Sequence, residues 1–202
     1  DGQPRFAMKK LRGRTWEKVM VEDSEELTPD QYLLKHLTIL IQVAQALAFA
    51  HSRGVVHRDL KPAQVMVGEF GETMVMDWGL AVIFDEKRFA AEAGPTALDA
   101  APHLRESSGP AGTLSYMAPE QILERGEIGP WTDIYLLGGC LYFLLTHRAP
   151  HDDTDKKSCI EKARKGHINP IETRAFDSPA PSALLDLIRR SLDPEPVMRP
   201  VA

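Results

Sequence analysis

The clearest pattern along the chain is a helical period that gives way to short alternating runs. From Thr28 onward, Leu33, Leu37, Leu40, Ala44 and Leu47 recur on one stripe, as in a helix that buries one face. Its start is chemically marked. Thr28 can cap the free N–H groups, Pro29 suits the first helical position, and Gln31 can complete a capping box. Ile41 and Val43 fall off the stripe, which predicts burial on more than one side. Gly54 is expected to end the helix in the left-handed conformation. Then come short β-like runs, Val55-Val56, Val65-Met66-Val67 and Met74-Val75-Met76, with Gly68 and Gly71 supplying turns. Upstream, residues 5 to 11 read as a strand entering a turn at Gly13, and the acidic stretch 22 to 26 reads as solvated. Residues 85 to 111, rich in Ala, Gly, Pro and Ser and without a period, predict a mobile loop. Helices are expected over 132–146, 156–165 and 182–192, the last carrying Leu184, Leu187, Ile188 and Leu192. Gly138-Gly139 inside the first of these costs about 1 kcal/mol per residue relative to Ala, which implies close packing against the backbone. The pattern is mainly α with small β-hairpins.

Composition narrows the setting. A chain of 202 residues is one domain or one large lobe, and its 43% hydrophobic content can build a real core. The net charge of -5 argues against a nucleic-acid or anionic-membrane partner. Cys140 and Cys159 are far apart and lack metal-ligand spacing, so they read as buried free thiols in a reducing compartment. No uninterrupted apolar run approaches the roughly 20 residues that span a bilayer. The first residues, Asp1-Gly2-Gln3-Pro4, do not form a signal peptide. These features predict a soluble, cytoplasmic segment.

The candidate chemistry lies in His57-Arg58-Asp59-Leu60-Lys61-Pro62-Ala63-Gln64, followed thirteen residues later by Asp77-Trp78-Gly79. An Asp in such a loop can orient a hydroxyl and take its proton, a second Asp can hold Mg²⁺ against phosphates, and a Lys can neutralise a transferring phosphoryl group. Further on stand Gly112-Thr113-Leu114-Ser115-Tyr116-Met117-Ala118-Pro119-Glu120, then Asp133-Ile134-Tyr135-Leu136-Leu137-Gly138, then Arg199 six residues after Asp193. In this order the motifs resemble the C-terminal lobe of the Ser/Thr protein kinases, and Asp-Trp-Gly resembles bacterial members of planctomycete type.

The resemblance implies an α+β kinase fold, lacking most of its N-terminal lobe. Residues 5–13 would be the last strand and hinge of that lobe, 28–202 the C-lobe and 77–120 the activation segment. It implies ATP and Mg²⁺ as cofactors and Ser/Thr-bearing proteins as substrates, with the N-lobe as a further partner. Asp59 would be the catalytic base, Lys61 its neighbour on the phosphoryl group, and Thr113 the residue bonding both. Asp77 and Gln64 would hold metal. Met8, Lys9 and Leu11 would line the adenine site, with Met66 beneath the ring. His57 would support the Asp77-Trp78-Gly79 element, Trp78 would pack, and Asp133 would be a buried carboxylate tying the catalytic-loop backbone. Glu120 would pair with Arg199, and Arg58 would receive an activation-loop phosphate on Thr96, Ser107 or Ser108, with Lys87, Arg88 and Arg105 as further cationic partners.

Two departures stand out. Gln64 replaces the family's Asn, which moves the amide out by about 1.5 Å, and this predicts weaker binding of one metal ion. The Gly-rich loop and ATP-anchoring Lys would lie before residue 5, which predicts little activity from this chain alone. Two other readings remain: a pseudokinase or protein-docking module without phosphoryl transfer, and a metal-dependent hydrolase built on Asp59, Asp77 and the histidines. The blander local reading of His151-Asp152-Asp153 is a solvated loop rather than a metal cluster.

Overall fold

The computed structural model of the chain describes residues 12–94, 112–123, 126–175 and 179–201. Strand β1 (Arg14–Thr15) leads directly into α1 (Trp16–Glu26), and α2 (Pro29–Ser52) follows. The middle of the chain supplies β2 (Val55–Val56), β3 (Val65–Val67), β4 (Thr73–Val75) and β5 (Val82–Ile83), then α3 (Glu86–Ala93). The rest is helical: α4 (Pro119–Ile122), α5 (Pro130–Thr146), α6 (Lys156–Lys165) and α7 (Ser182–Ser191). One antiparallel sheet has the order β1-β3-β4 and another pairs β2 with β5.

The capping box at the start of α2 forms as its residues predict, with Thr28 and Gln31 satisfying each other's backbone N–H groups. Gly54 ends the helix with a φ of 78°, and a Cβ there would lie 2.3 Å from the Asp85 carbonyl oxygen, so no larger residue fits. The buried face is rotated from the expected stripe. It carries Tyr32, His36, Ile39, Leu40, Val43 and Leu47, whereas Ile41 is 58% exposed. The cause is polar: His36 belongs to the buried face because Trp16 on α1 donates to its Nδ1 and Asp23 on α1 stands 3.1 Å from its Nε2. By length and composition alone α2 could cross a membrane, but it packs against α5 and β4 as a core helix.

Helix α5 is the core of the lobe, with Tyr135, Leu136, Cys140, Leu141, Leu144 and Leu145 all fully or nearly fully buried. Its glycines permit the close approach expected of them. A Cβ on Gly138 would meet Ser191 Cβ at 2.6 Å, and one on Gly139 would meet the Tyr116 ring at 3.0 Å. Cys140 and Cys159 are buried and free. Strand β4 begins one residue earlier than expected, and α3 occupies residues 86–93 where a mobile loop was anticipated. His151 is another correction. It is completely buried, bonded to the Tyr135 hydroxyl at 2.9 Å and the His167 carbonyl at 2.8 Å, while Asp152 and Asp153 remain outside.

Helix α1 was not foreseen, and Asp23 within the supposedly solvated stretch is buried. Trp16, Val19, Met20 and Asp23 fall at helical spacing and turn inward together. Trp16 Nε1 donates to His36 Nδ1 at 3.0 Å, which leaves the His36 proton on Nε2, 3.1 Å from Asp23 Oδ2. Burial lowers the His36 pKa from 6.5 to about 4, against the opposing pull of Asp23. Protonation would also cost Trp16 its acceptor. A His held neutral in the folded state stabilises fully above its unfolded pKa, and that contribution is lost as pH falls through the window from 6.5 to about 4. Burial lowers His147 and His151 in the same direction. Thermal melts should therefore show the midpoint falling over that window. His36→Asn, whose side-chain oxygen can replace Nδ1 as the acceptor, should show a shallower fall. Identical slopes in the two proteins would refute the assignment to His36.

Candidate active site

The loop from 57 to 64 joins β2 to β3, and its shape is imposed by one carboxylate. Asp133, fully buried near the start of α5, accepts from His57 N at 2.9 Å, Arg58 N at 3.0 Å and His51 Nε2 at 2.8 Å. Three donors on one buried carboxylate offset the cost of removing its charge from water. They also hold Arg58 at a φ of 71°, a conformation that costs a non-glycine residue about 1–2 kcal/mol. Gln121 Nε2 donates to the Arg58 carbonyl at 2.7 Å, so both peptide groups flanking this residue are held. The Arg58 side chain is 4% exposed, and its Nε has no hydrogen-bond partner among the described residues. Burial lowers its pKa, opposed by Asp133.

His57 is committed at both ring nitrogens. Nδ1 accepts from Asp59 N at 3.3 Å, so Nε2 carries the proton and donates to the Met76 carbonyl at 2.9 Å. The ring also stands edge-on to Trp78 at 4.6 Å between centroids. That geometry suits a brace between the loop and the 77–79 element, and leaves no nitrogen for proton transfer.

Asp59, Lys61 and Thr113 come together although more than fifty residues separate Thr113 from Asp59. Asp59 Oδ1 accepts from Thr113 N at 2.7 Å and Thr113 Oγ1 at 2.9 Å. Lys61 Nζ bonds Thr113 Oγ1 and lies 3.5 Å from Asp59 Oδ2. Gly112 makes the approach possible: its φ is 126°, and a Cβ there would stand 3.1 Å from the Arg58 carbonyl oxygen. Thr113→Val keeps the shape and the backbone bond but removes the hydroxyl. In the full-length protein it should lower kcat by about 10²-fold with the KM for ATP little changed. Thr113→Ser should recover most of the rate, and a kcat unaffected by Val would discount the hydroxyl.

Asp77 lies beyond β4 with a φ of 60°, its carboxylate exposed. Gln64 Nε2 donates to Asp77 Oδ2 at 3.0 Å, and the Gln64 carbonyl accepts from Met76 N at 2.8 Å. A carboxylate beside an amide oxygen is a hard-oxygen donor set, and Mg²⁺ is commonly held by one or two such groups together with phosphate oxygens. The pair therefore fits the ion the resemblance implies. Trp78 is half-buried, its Nε1 bonded to the Val75 carbonyl at 3.2 Å. Gly79 leaves Asp77 Oδ1 uncovered, since a Cβ there would come within 3.2 Å of it. Met66 lies on β3, opposite Thr15 and Met74. Met8, Lys9 and Leu11, and Thr96, Arg105, Ser107 and Ser108, lie outside the described residues. Lys87 and Arg88 are exposed on α3, with Arg88 engaged by Asp85 at 3.1 Å.

Below the site, Arg199 makes a two-pronged bond to Glu120, Nη1 to Oε1 at 2.6 Å and Nη2 to Oε2 at 2.9 Å. Three residues that hold the site were not anticipated: His51, Gln121 and Gly112. Gln121 is the one with a sequence signal, since it sits three residues after Ala118 and closes a bond to the Ala118 N–H at the start of α4. Among the described residues no group of three or more His, Cys, Asp or Glu is placed to hold a metal.

A loop base with a threonine bridging it to a lysine, a carboxylate at the end of a hairpin, and a buried carboxylate beneath both define a phosphotransferase lobe. Residues 7–202 match the protein kinase domain, and the chain belongs to that family. It is 37% identical over 135 residues to the serine/threonine-protein kinase PknD of Protochlamydia amoebophila, covering 66% of this chain and 13% of that protein. It is 31% identical over 201 residues to PknD of Chlamydia muridarum, covering 96% of this chain and 21% of that protein. With CBL-interacting protein kinase 21 of rice, Oryza sativa, it shares 34% identity over 158 residues, 78% of this chain and 26% of that protein. The chain thus spans about a quarter or less of the length of these relatives. Kinases of this family use ATP and Mg²⁺ and act on proteins.

Proposed function

We propose that this chain is the catalytic lobe of a Ser/Thr protein kinase that moves the γ-phosphoryl group of ATP to a Ser or Thr hydroxyl of a protein. The observation that carries the reading is the threonine bridge. Thr113 occupies Asp59 Oδ1 with two hydrogen bonds, which leaves Oδ2 to receive the substrate's proton. Lys61, near that same oxygen, stands where it can meet the negative charge of the transferring group. The hydroxyl oxygen bonds to the γ-phosphorus, the bond to the bridging oxygen of ADP breaks, and the proton passes to Asp59. Mg²⁺, when bound, supplies charge neutralisation at the phosphates, and Asp77 with Gln64 are the residues that would hold it. A Lys at the position of Lys61 is what the Ser/Thr-specific branch of the family shows, and this supports a Ser or Thr hydroxyl as the acceptor.

The pseudokinase reading draws on one observation, the bond from Gln64 to Asp77. The test is phosphate transfer from radiolabelled Mg-ATP to Ser-, Thr- and Tyr-containing peptides by the full-length protein. Transfer to Ser or Thr supports the proposal, and nucleotide binding without transfer supports the alternative.

A further inference from the structure

We infer that the outward face of α6 docks an acidic segment of the protein substrate, so that the kinase prefers acceptors carrying Asp or Glu a few residues from the phosphorylated hydroxyl. The inference rests on the kinase reading above and names a substrate class for it. Helix α6 carries five basic residues, Lys156, Lys157, Lys162, Arg164 and Lys165, and one acidic residue, Glu161, in a chain whose net charge is -5. Its two sides differ. Cys159 and Ala163 are buried, whereas Lys156, Lys157, Glu161, Arg164 and Lys165 are exposed. Positions 157, 161, 164 and 165 share one face at helical spacing. Beside them lies an open cleft of about 530 Å³, whose cationic lining includes Lys157, Lys165 and His167.

The fold does not consume these cations. Lys162 is the exception, bonded to Asp153 at 2.7 Å and to Asn169 Oδ1 at 2.9 Å. Arg164 and Lys165 share Glu161, at 3.8 and 2.9 Å, and among the described residues Lys156 and Lys157 have no ion pair. Those two lysines stand in the first turn, where the positive end of a helix disfavours cations. Asp155 already caps that end, accepting from Lys157 N and Ser158 N. Two lysines placed against a local preference and unpaired within the lobe point to a partner outside it. Location selects that partner. The inner face of α6 is seated on the segment that follows Thr113: Met117, Ile122 and Ala163 form one buried apolar cluster, with Leu114 and Ile160 packed against it. A substrate whose hydroxyl meets Asp59 leads its chain on one side past this segment. A helix with its side chains is about 10–12 Å across, so the basic face lies within about four residues of extended chain from Leu114. A nucleic acid or an anionic membrane fits less well. Asp152, Asp153 and Asp155 flank the helix and are exposed, and a broad contact would press those carboxylates against phosphates.

The test is steady-state phosphate transfer by the full-length protein to peptides that share one Ser and differ only in a block of Glu or of Gln, placed about five residues away on either side. Each exposed ion pair contributes about twofold, so the Glu peptide should have a KM about tenfold below that of the Gln peptide. The triple variant Lys157→Gln, Arg164→Gln, Lys165→Gln, altered only at exposed positions, should abolish that difference and leave kcat and the KM of the Gln peptide unchanged. Glu161→Gln should act in the opposite direction, lowering the KM of the Glu peptide about twofold, a gain that damage to the fold would not produce. Equal KM values for the two peptides in wild type, or a difference that survives the triple variant, would overturn the inference and leave the kinase reading intact. Absence of transfer to every peptide would overturn the kinase reading, and fluorescence anisotropy of the labelled peptides then decides the docking surface. Binding of the Glu peptide that the triple variant loses supports it; equal or absent binding of both peptides overturns it, as would tighter binding of an oligo-dT strand or of phosphatidylserine vesicles.

Discussion

Asp59→Asn is expected to lower kcat for phosphoryl transfer by the full-length protein by about 10²–10⁴-fold, the usual contribution of a positioned general base. The KM for ATP should change little. The direction follows from which oxygen is occupied. Oδ1 accepts from the Thr113 backbone N–H, a donor that cannot reverse its polarity. An Asn must therefore place its carbonyl oxygen there and its NH₂ group where Oδ2 stood. The substrate hydroxyl then meets a donor instead of an acceptor for its proton. His57 cannot substitute, because both of its nitrogens are engaged. The variant should fold as wild type, since the Thr113 bonds survive. Steady-state kinetics against ATP and a peptide acceptor separate the two parameters. A kcat within a fewfold of wild type would show that Asp59 does not receive the proton.

The motifs were legible because phosphoryl-transfer chemistry uses a few side-chain types at constrained separations, and Asp59, Lys61, Asp77, Thr113 and Asp133 each carry that signal. The capping box at Thr28 and the stop at Gly54 were legible because they depend on local backbone geometry. The face of α2 was not. A hydrophobic stripe assigns His36 to water, and only its partners on α1, Trp16 and Asp23, turn it inward. The same partnership hid α1. Its inward positions are spaced as in any amphipathic helix, but one of them is an aspartate inside an acidic run, which reads as solvated unless the histidine thirteen residues away is known to face it. His151 repeats the lesson, its burial resting on the Tyr135 hydroxyl and the His167 carbonyl. Long-range polar pairing leaves no period in a sequence. Gln121 was missed for a related reason: its bond to the Arg58 carbonyl spans sixty-three residues.

Such pairing also carries the largest expected effect on stability. Arg199→Met should destabilise the fold by about 3–5 kcal/mol, the range for removing one member of a buried ion pair. Arg199 is 4% exposed and Glu120 is 6% exposed, so neither charge can turn to water when the other is lost. The arginine is saturated with acceptors. Besides Glu120 it donates to the carbonyls of Asp193 at 2.8 Å, Trp131 at 3.0 Å and Pro194 at 3.1 Å, and its guanidinium lies 4.7 Å from the Tyr135 ring centroid. Thr132 Oγ1 gives Glu120 one remaining hydrogen bond at 3.0 Å, too little to replace two charged ones. Adding Glu120→Gln removes the stranded charge, so the double variant should lose less than the sum of the two singles, with a coupling of about 0.5–3 kcal/mol. Arg199→Lys should recover only part of the loss, because an ammonium cannot span both carboxylate oxygens and three carbonyls. Denaturant unfolding of the full-length protein measures each term. A loss below about 1 kcal/mol for Arg199→Met would place the pair with exposed salt bridges. The expected loss would reach the candidate active site as well, since Glu120 adjoins Gln121, and Gln121 holds the Arg58 carbonyl one residue before Asp59.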